Sequence, residues 1–243
     1  MKRRLVAHRG DMASYPENSL MAIQAAMNLG FTCIEIDIQL SKDAVAIVIH
    51  DDNLQRTVGI NKNMRDLTSS EINTYLINHP NQQDYDLASL RIPTLQAVIE
   101  KLNNHPGIIL FVEIKKHSIE YFGLHKTVDA VLKELKHANF KVVIISFVAD
   151  VVSHIQLNEI YSVGWVVREF DQVHQQQAQL MMPDYLFCNV YNINDPSNLW
   201  KGSWQWVLYD IRDPTYANEL LTQGVSLIET GDIVKLSSAK EFR

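Results

Sequence analysis

Cys33-Ile34-Glu35-Ile36-Asp37-Ile38-Gln39-Leu40 decides how this chain folds. Successive side chains of a strand point to opposite faces. Ile34, Ile36 and Ile38 therefore share one face, and Glu35 and Asp37 share the other. A buried carboxylate is costly unless a cation, a metal or a ligand compensates it. A strand with one apolar face and two acids on the other suits a barrel wall, with the isoleucines against surrounding helices and the acids facing the interior near the mouth.

The pattern repeats in Ile108–Lys115, where Glu113 and Lys115 share one face and Val112 and Ile114 the other. Further strands are expected at Leu5–His8, Lys141–Phe147, Ser162–Val167, Tyr185–Val190, Trp204–Tyr209 and Val225–Glu229, with a shorter one at Val45–Ile49. Helix-like stretches lie between them, at Glu17–Leu29, Thr94–Leu102, Ser118–Ala138, Ala149–Asn158, Val173–Met181 and Pro214–Thr222. Strands alternating with helices in 243 residues predict an α/β fold of the (β/α)8 TIM-barrel type. A doubly wound open sheet is the competing architecture. The chain reads as one domain, 1–243. Its polar stretch 52–91 is too long for an ordinary βα loop and is expected to be a small insertion after the second strand that lids the site.

Composition narrows the function. Hydrophobic residues make up 47% and charged residues 21%, ordinary for a globular protein, and the net charge of -6 lacks the basic footprint of a nucleic-acid binder. The apolar segment after Lys2-Arg3-Arg4 is only Leu5–Ala7, too short for a secretory leader, and no run approaches the ~18 residues of a membrane span. No stable membrane insertion is expected. Cys33 and Cys188 form no C-x-x-C motif and read as buried free thiols, which fits a cytoplasmic enzyme. The oligomeric state is not readable from the sequence.

Three carboxylates, Glu35, Asp37 and Glu113, converging on one interior call for a cation, and oxygen-only ligands favour a hard divalent ion, Mg²⁺ or Ca²⁺. His8 and His50 each end an apolar run beside charged groups. Such a pair suits general acid–base work at neutral pH, metal ligation, or a satisfied core position. Arg9 suits bidentate phosphate contact and Lys115 a point-charge contact.

Taken in order, His8-Arg9-Gly10, Pro16-Glu17-Asn18-Ser19, Glu35-Ile36-Asp37, Lys42-Asp43, His50-Asp51 and Glu113-Ile114-Lys115 resemble the glycerophosphodiester phosphodiesterase family. Ser146-Phe147, Trp206-Val207-Leu208-Tyr209 and Gly224-Val225 to Thr230 resemble later family segments. The resemblance implies a (β/α)8 barrel with an insertion after the second strand and one divalent metal on Glu35, Asp37 and Glu113. It also implies His8 and His50 as the acid–base pair, phosphate contact by Arg9 and Lys115, and Phe147 and Trp206 near the mouth. A glycerophosphodiester would be split into glycerol 3-phosphate and an alcohol. The sequence departs from the family pattern at Ser19 for Thr, Ala44 for Gly, Tyr209 for Asn, Ser226 for Asp and Gly231 for Asp, all outside the metal and histidine set. Two alternatives compete: a lysophospholipase D-like enzyme, favoured by an apolar rim on 52–91, and a non-catalytic glycerophosphodiester binder. An aromatic wall that includes Phe147 suits a choline-type cation.

Overall fold

The computed structural model describes residues 2–80, 85–158 and 161–242. The elements run in the order β1 (Leu5–His8), α1 (Leu20–Asn28), β2 (Cys33–Leu40), β3 (Ala46–Val48), α2 (Gln55–Val58), α3 (Ser69–Ile72), α4 (Leu95–Leu102), β4 (Ile109–Ile114), α5 (Lys116–Phe122) and α6 (Leu124–Leu135). They continue with β5 (Lys141–Ser146), α7 (Ala149–Leu157), β6 (Ser162–Val167), α8 (Gln172–Met181), β7 (Tyr185–Asn189), β8 (Gln205–Tyr209), α9 (Pro214–Thr222), β9 (Leu227–Thr230) and α10 (Ile233–Ser238).

Eight of the strands are parallel and close on themselves, because β1 pairs with both β2 and β9. This is the expected (β/α)8 barrel. β3 stands apart and runs antiparallel along the end of β2, with Ile38 opposite Val48 and Leu40 opposite Ala46.

Strand alternation sorts the side chains into two cores. Ile34, Ile36, Ile38 and Leu40 point outward and join Leu110, Val112 and Ile114 of β4 against the helices. Cys33 and Phe111 point inward and pack with Val143, Phe187 and Val207 on the barrel floor. That floor carries the layer of polar side chains nearer the mouth.

The expected helix at 118–138 is two helices. Gly123 divides them with φ of 84°, a backbone turn that leaves α5 and starts α6. Between β7 and β8 the chain makes only 3₁₀ turns, at Val190–Asn192 and Pro196–Asn198. In the stretch 52–91, Leu54, Met64, Leu67, Ile72 and Ile77 turn inward onto Ile47 and Ile49, so the polar segment has a small apolar core of its own. Asn81-Gln82-Gln83 of that segment lies outside the described residues. Ala44, in place of glycine, adopts φ of 59° and still closes the turn through its N–H to the Ser41 carbonyl.

Gly10 has φ of 78°, and a Cβ there would lie 2.5 Å from the Ala22 carbonyl carbon. The loop after β1 is thereby pressed onto the first turn of α1, which sets the position of His8 and Arg9. Gly10→Ala is expected to destabilise the fold by about 2–4 kcal/mol, combining strain at positive φ with overpacking. Urea unfolding of the two proteins checks this; an unchanged midpoint would contradict it.

Candidate active site

The site is built at the carboxyl ends of the strands. His8 ends β1, Glu35 and Asp37 lie on β2, Glu113 lies on β4, and Lys115 follows it. His50 comes from beyond β3, whose antiparallel return brings Ile49 N–H onto the Asp37 carbonyl. A cavity of about 140 Å³ is lined by His8, Glu35, Glu113, Lys115 and His50, together with Arg9, Phe147 and Tyr209, but not by Asp37.

Asp37 is the hub of the polar layer. Its carboxylate meets Arg9 Nε at 2.9 Å and Lys115 Nζ at 3.0 Å, and accepts from Asn18 Nδ2 at 2.8 Å. Asn18 Oδ1 also accepts from the Asp37 N–H at 3.1 Å, and Asn18 has φ of 59° to reach both groups. The sequence places Asn18 at the start of a helix; in the structure Ser19 is the cap, accepting from Ala22 N–H. Lys115 also pairs with Glu113 at 2.8 Å. Arg9 adds Glu17 at 3.0 Å, and its backbone N–H donates to Glu35 Oε2 at 3.1 Å.

A second ring of ion pairs holds the rim. Arg56, from α2, meets Glu17 at 2.7 Å and Asp51 at 2.6 Å. Asp51 in turn lies 2.6 Å from His50 Nδ1. Glu17, Asp51 and Arg56 thus tie the insertion, the β1 loop and His50 together.

Glu229, on β9, is the one acid of this layer that the sequence reading gave no role. It is buried, its Oε1 lies 3.4 Å from His8 Nε2, and its Oε2 has no hydrogen-bond partner among the described residues. Glu35 Oε1 is likewise without one. Leu227 and Glu229 are two apart and face inward together, so strand alternation was the available signal.

Four buried carboxylates face two cations, the buried Lys115 and the half-buried Arg9. Burial pushes Glu35 and Glu229 well above the usual carboxylate range, and neighbouring acids add to it. Burial and Asp37 also raise Glu113 to about 7, against the pull of Lys115. At Asp37 burial acts in the same upward direction, but Lys115 and Arg9 outweigh it and hold the carboxyl low. Burial lowers His8 to about 3 and lowers His50 as well, so both imidazoles are neutral at pH 7. The excess negative charge, the all-oxygen donors and the orphaned oxygens fit a hard divalent cation. Among the described residues, two clusters have ligand atoms close enough for one, Glu35–Asp37–Glu113 and His8–Glu35–Glu229.

Of the expected substrate contacts, Phe147 lines the cavity and Trp206 does not. Trp206 is outward on β8, where it packs on Trp200 and Phe170, and its Nε1–H donates to the Trp200 carbonyl at 3.0 Å. Val207 and Tyr209 are the inward residues of β8, and Tyr209 reaches the cavity.

Residues 8–228 match the model of the glycerophosphoryl diester phosphodiesterase family. The chain is 31% identical over 194 residues to a glycerophosphodiester phosphodiesterase of Caldanaerobacter subterraneus subsp. tengcongensis, covering 76% of this chain and 77% of that one. It is 33% identical over 105 residues to the human lysophospholipase D GDPD1, 42% of this chain and 33% of that one. Its fold superposes on a phosphodiesterase of Oleispira antarctica, solved with sn-glycerol-3-phosphate, with a TM-score of 0.86 at 24% identity, covering 97% and 95% of the two chains. A glycerophosphodiester phosphodiesterase of Thermotoga maritima gives 0.74 at 23% identity, covering 97% and 96%.

Glu229 generates a test of the charge imbalance. A carboxyl raised in the folded state favours folding below its ordinary value of 4.5 and loses that contribution as pH rises through the folded value. Glu229→Gln is therefore expected to stabilise the metal-free protein at pH 8 by about 1–3 kcal/mol, with the gain vanishing below about pH 4.5. Thermal unfolding in EDTA across this range checks it; a gain independent of pH would contradict it.

Proposed function

The chain belongs to the glycerophosphoryl diester phosphodiesterase family, and from that premise we propose how this phosphodiesterase works. The proposed reaction is metal-dependent hydrolysis of a glycerophosphodiester to an alcohol and glycerol 3-phosphate. One observation carries the reading: His8, His50, Arg9 and Lys115 line one cavity together with the buried acids Glu35 and Glu113, with buried Asp37 paired to Arg9 and Lys115 behind them.

Glu35, Asp37 and Glu113 would hold one divalent cation, Mg²⁺ or Ca²⁺. When bound, it supplies positive charge against the phosphoryl oxygens. Arg9 spends Nε on Asp37 and Nη1 on Glu17, which fixes its planar fork and leaves Nη2 for a phosphoryl oxygen. Lys115 is pinned between Asp37 and Glu113 and presents a fixed positive charge beside it. The two histidines serve as the acid–base pair, one taking a proton from the nucleophile and the other giving a proton to the leaving alkoxide. The Asp51 carboxylate favours the Nδ1–H tautomer of His50, which leaves Nε2 for proton transfer. Residues 52–91 act as the cover of the site, tied to the β1 loop through Arg56.

A water-soluble substrate is favoured over a lipid. The apolar side chains of the insertion, such as Ile72 and Ile77, are turned into its own core, and Leu87 is its one large exposed hydrophobic among the described residues. No described helix is long and apolar enough to cross a membrane.

Release of glycerol 3-phosphate from glycerophosphodiesters, with and without EDTA, tests the reading. His8→Ala and His50→Ala are each expected to lower kcat by about 10²–10⁴. Glu35→Gln and Asp37→Asn are expected to weaken divalent-ion binding in calorimetry. Near wild-type turnover in either histidine variant would refute the pair, and unchanged ion affinity in both acid variants would refute the ligand set.

A further inference from the structure

A second cleft opens beside the cavity and shares His50, Glu113, Lys115 and Phe147 with it. The two chambers therefore meet where the phosphate is proposed to sit. A phosphodiester has two arms, and each chamber has room for one. The inner chamber is narrow and is closed by Ile145, Val166 and Phe187. It suits glycerol, the arm common to all such substrates. The outer cleft is wider and lies between Asp52, Lys116, His117 and Arg168. It suits the alcohol that varies.

The wall between the chambers is Phe147, and one face of its ring is already taken. The Arg168 guanidinium lies 4.8 Å from the ring centroid. A quaternary ammonium seeking that aromatic face would meet a bound cation of its own sign. Arg168 itself is exposed, and its guanidinium makes no ion pair within 4 Å to the described residues, although it lies within the electrostatic reach of Glu120. Its backbone is anchored, because Asn192 Nδ2 donates to its carbonyl at 2.7 Å.

The other charges of the cleft are largely spent. Asp51 is paired with His50 and Arg56, Glu113 with Lys115, and Lys116 with Glu120. Asp52 lines the cleft as an acid without a cationic partner in the described contacts. The stacked guanidinium is thus the positioned, unneutralised cation of the outer cleft.

We propose that this cleft is the head-group subsite and that Arg168, stacked on Phe147, selects an alcohol carrying a negative charge over one carrying a quaternary ammonium. The proposal rests on the phosphodiesterase reading and names the substrate class within it. A carboxylate-bearing head group places an oxygen against the guanidinium fork, whereas choline carries no group for the guanidinium and has only Asp52 to meet among the unpaired charges of the cleft.

The test compares kcat/KM for glycerophosphoserine and glycerophosphocholine with the metal-loaded enzyme. The wild type is expected to favour the serine ester by about two- to fivefold, the size of an exposed charge-assisted contact. The ratio should fall as salt is raised, because the contact is screened. Arg168→Gln is expected to bring the ratio close to one, and Arg168→Glu to reverse it. A wild-type ratio of one or below, or a ratio unchanged in both variants, would overturn the subsite. Failure to cleave either ester, with any of the three proteins, would instead count against the phosphodiesterase reading itself.

Discussion

The carboxylate of Asp37 is the point on which the site depends. It is buried, and it draws in Arg9 from the loop after β1, Asn18 from before α1 and Lys115 from the end of β4. Two segments distant in sequence, the β1–α1 loop and the end of β4, are thereby fixed to β2 at one end of the barrel. The cost of burying this acid is offset by two cations and an amide, and that same arrangement holds Arg9 and Lys115 in set orientations. Removing Asp37 would leave both cations without their common partner.

The barrel makes this possible through strand alternation. The isoleucines of β2 fill the layer beneath the helices, while Glu35 and Asp37 stand in the interior above Cys33 and Phe111. An apolar floor and an acidic upper layer then share one set of strands. Glu113 and Glu229 enter the upper layer from β4 and β9 by the same parity. The excess of acids over cations is a property of that layer as a whole, and it is the reason a hard divalent ion fits there.

Much of this was legible in the sequence, because a charged residue inside an apolar strand has few inexpensive places to go. The bounds of β2 and the inward turn of Glu35 and Asp37 follow from period two alone, and His8, Arg9 and Lys115 follow as neighbours. Trp206 was misplaced because the resemblance located its strand at the mouth without its parity; Val207 and Tyr209 take the inward positions. Glu229 carried the same signal as Glu35 but stood alone in a short segment, without a second acid to mark the face. The resemblance marked Glu17 and Asn18 within Pro16–Ser19, but their contacts, like Arg56 itself, were out of reach for another reason: the partners lie in other segments, and such pairing leaves no period in the sequence.

Glu35, Asp37 and Glu113 are proposed to form a cradle for one divalent cation beside the phosphate. The most direct measurement is anomalous diffraction from crystals of this protein grown with Mn²⁺ and sn-glycerol 3-phosphate. A peak is expected about 2.0–2.6 Å from a carboxylate oxygen of each of these three acids, the range for hard cations on oxygen, with the phosphate contacting Arg9 and Lys115. A peak elsewhere, or an ordered phosphate at this site with no metal beside it, would contradict the account.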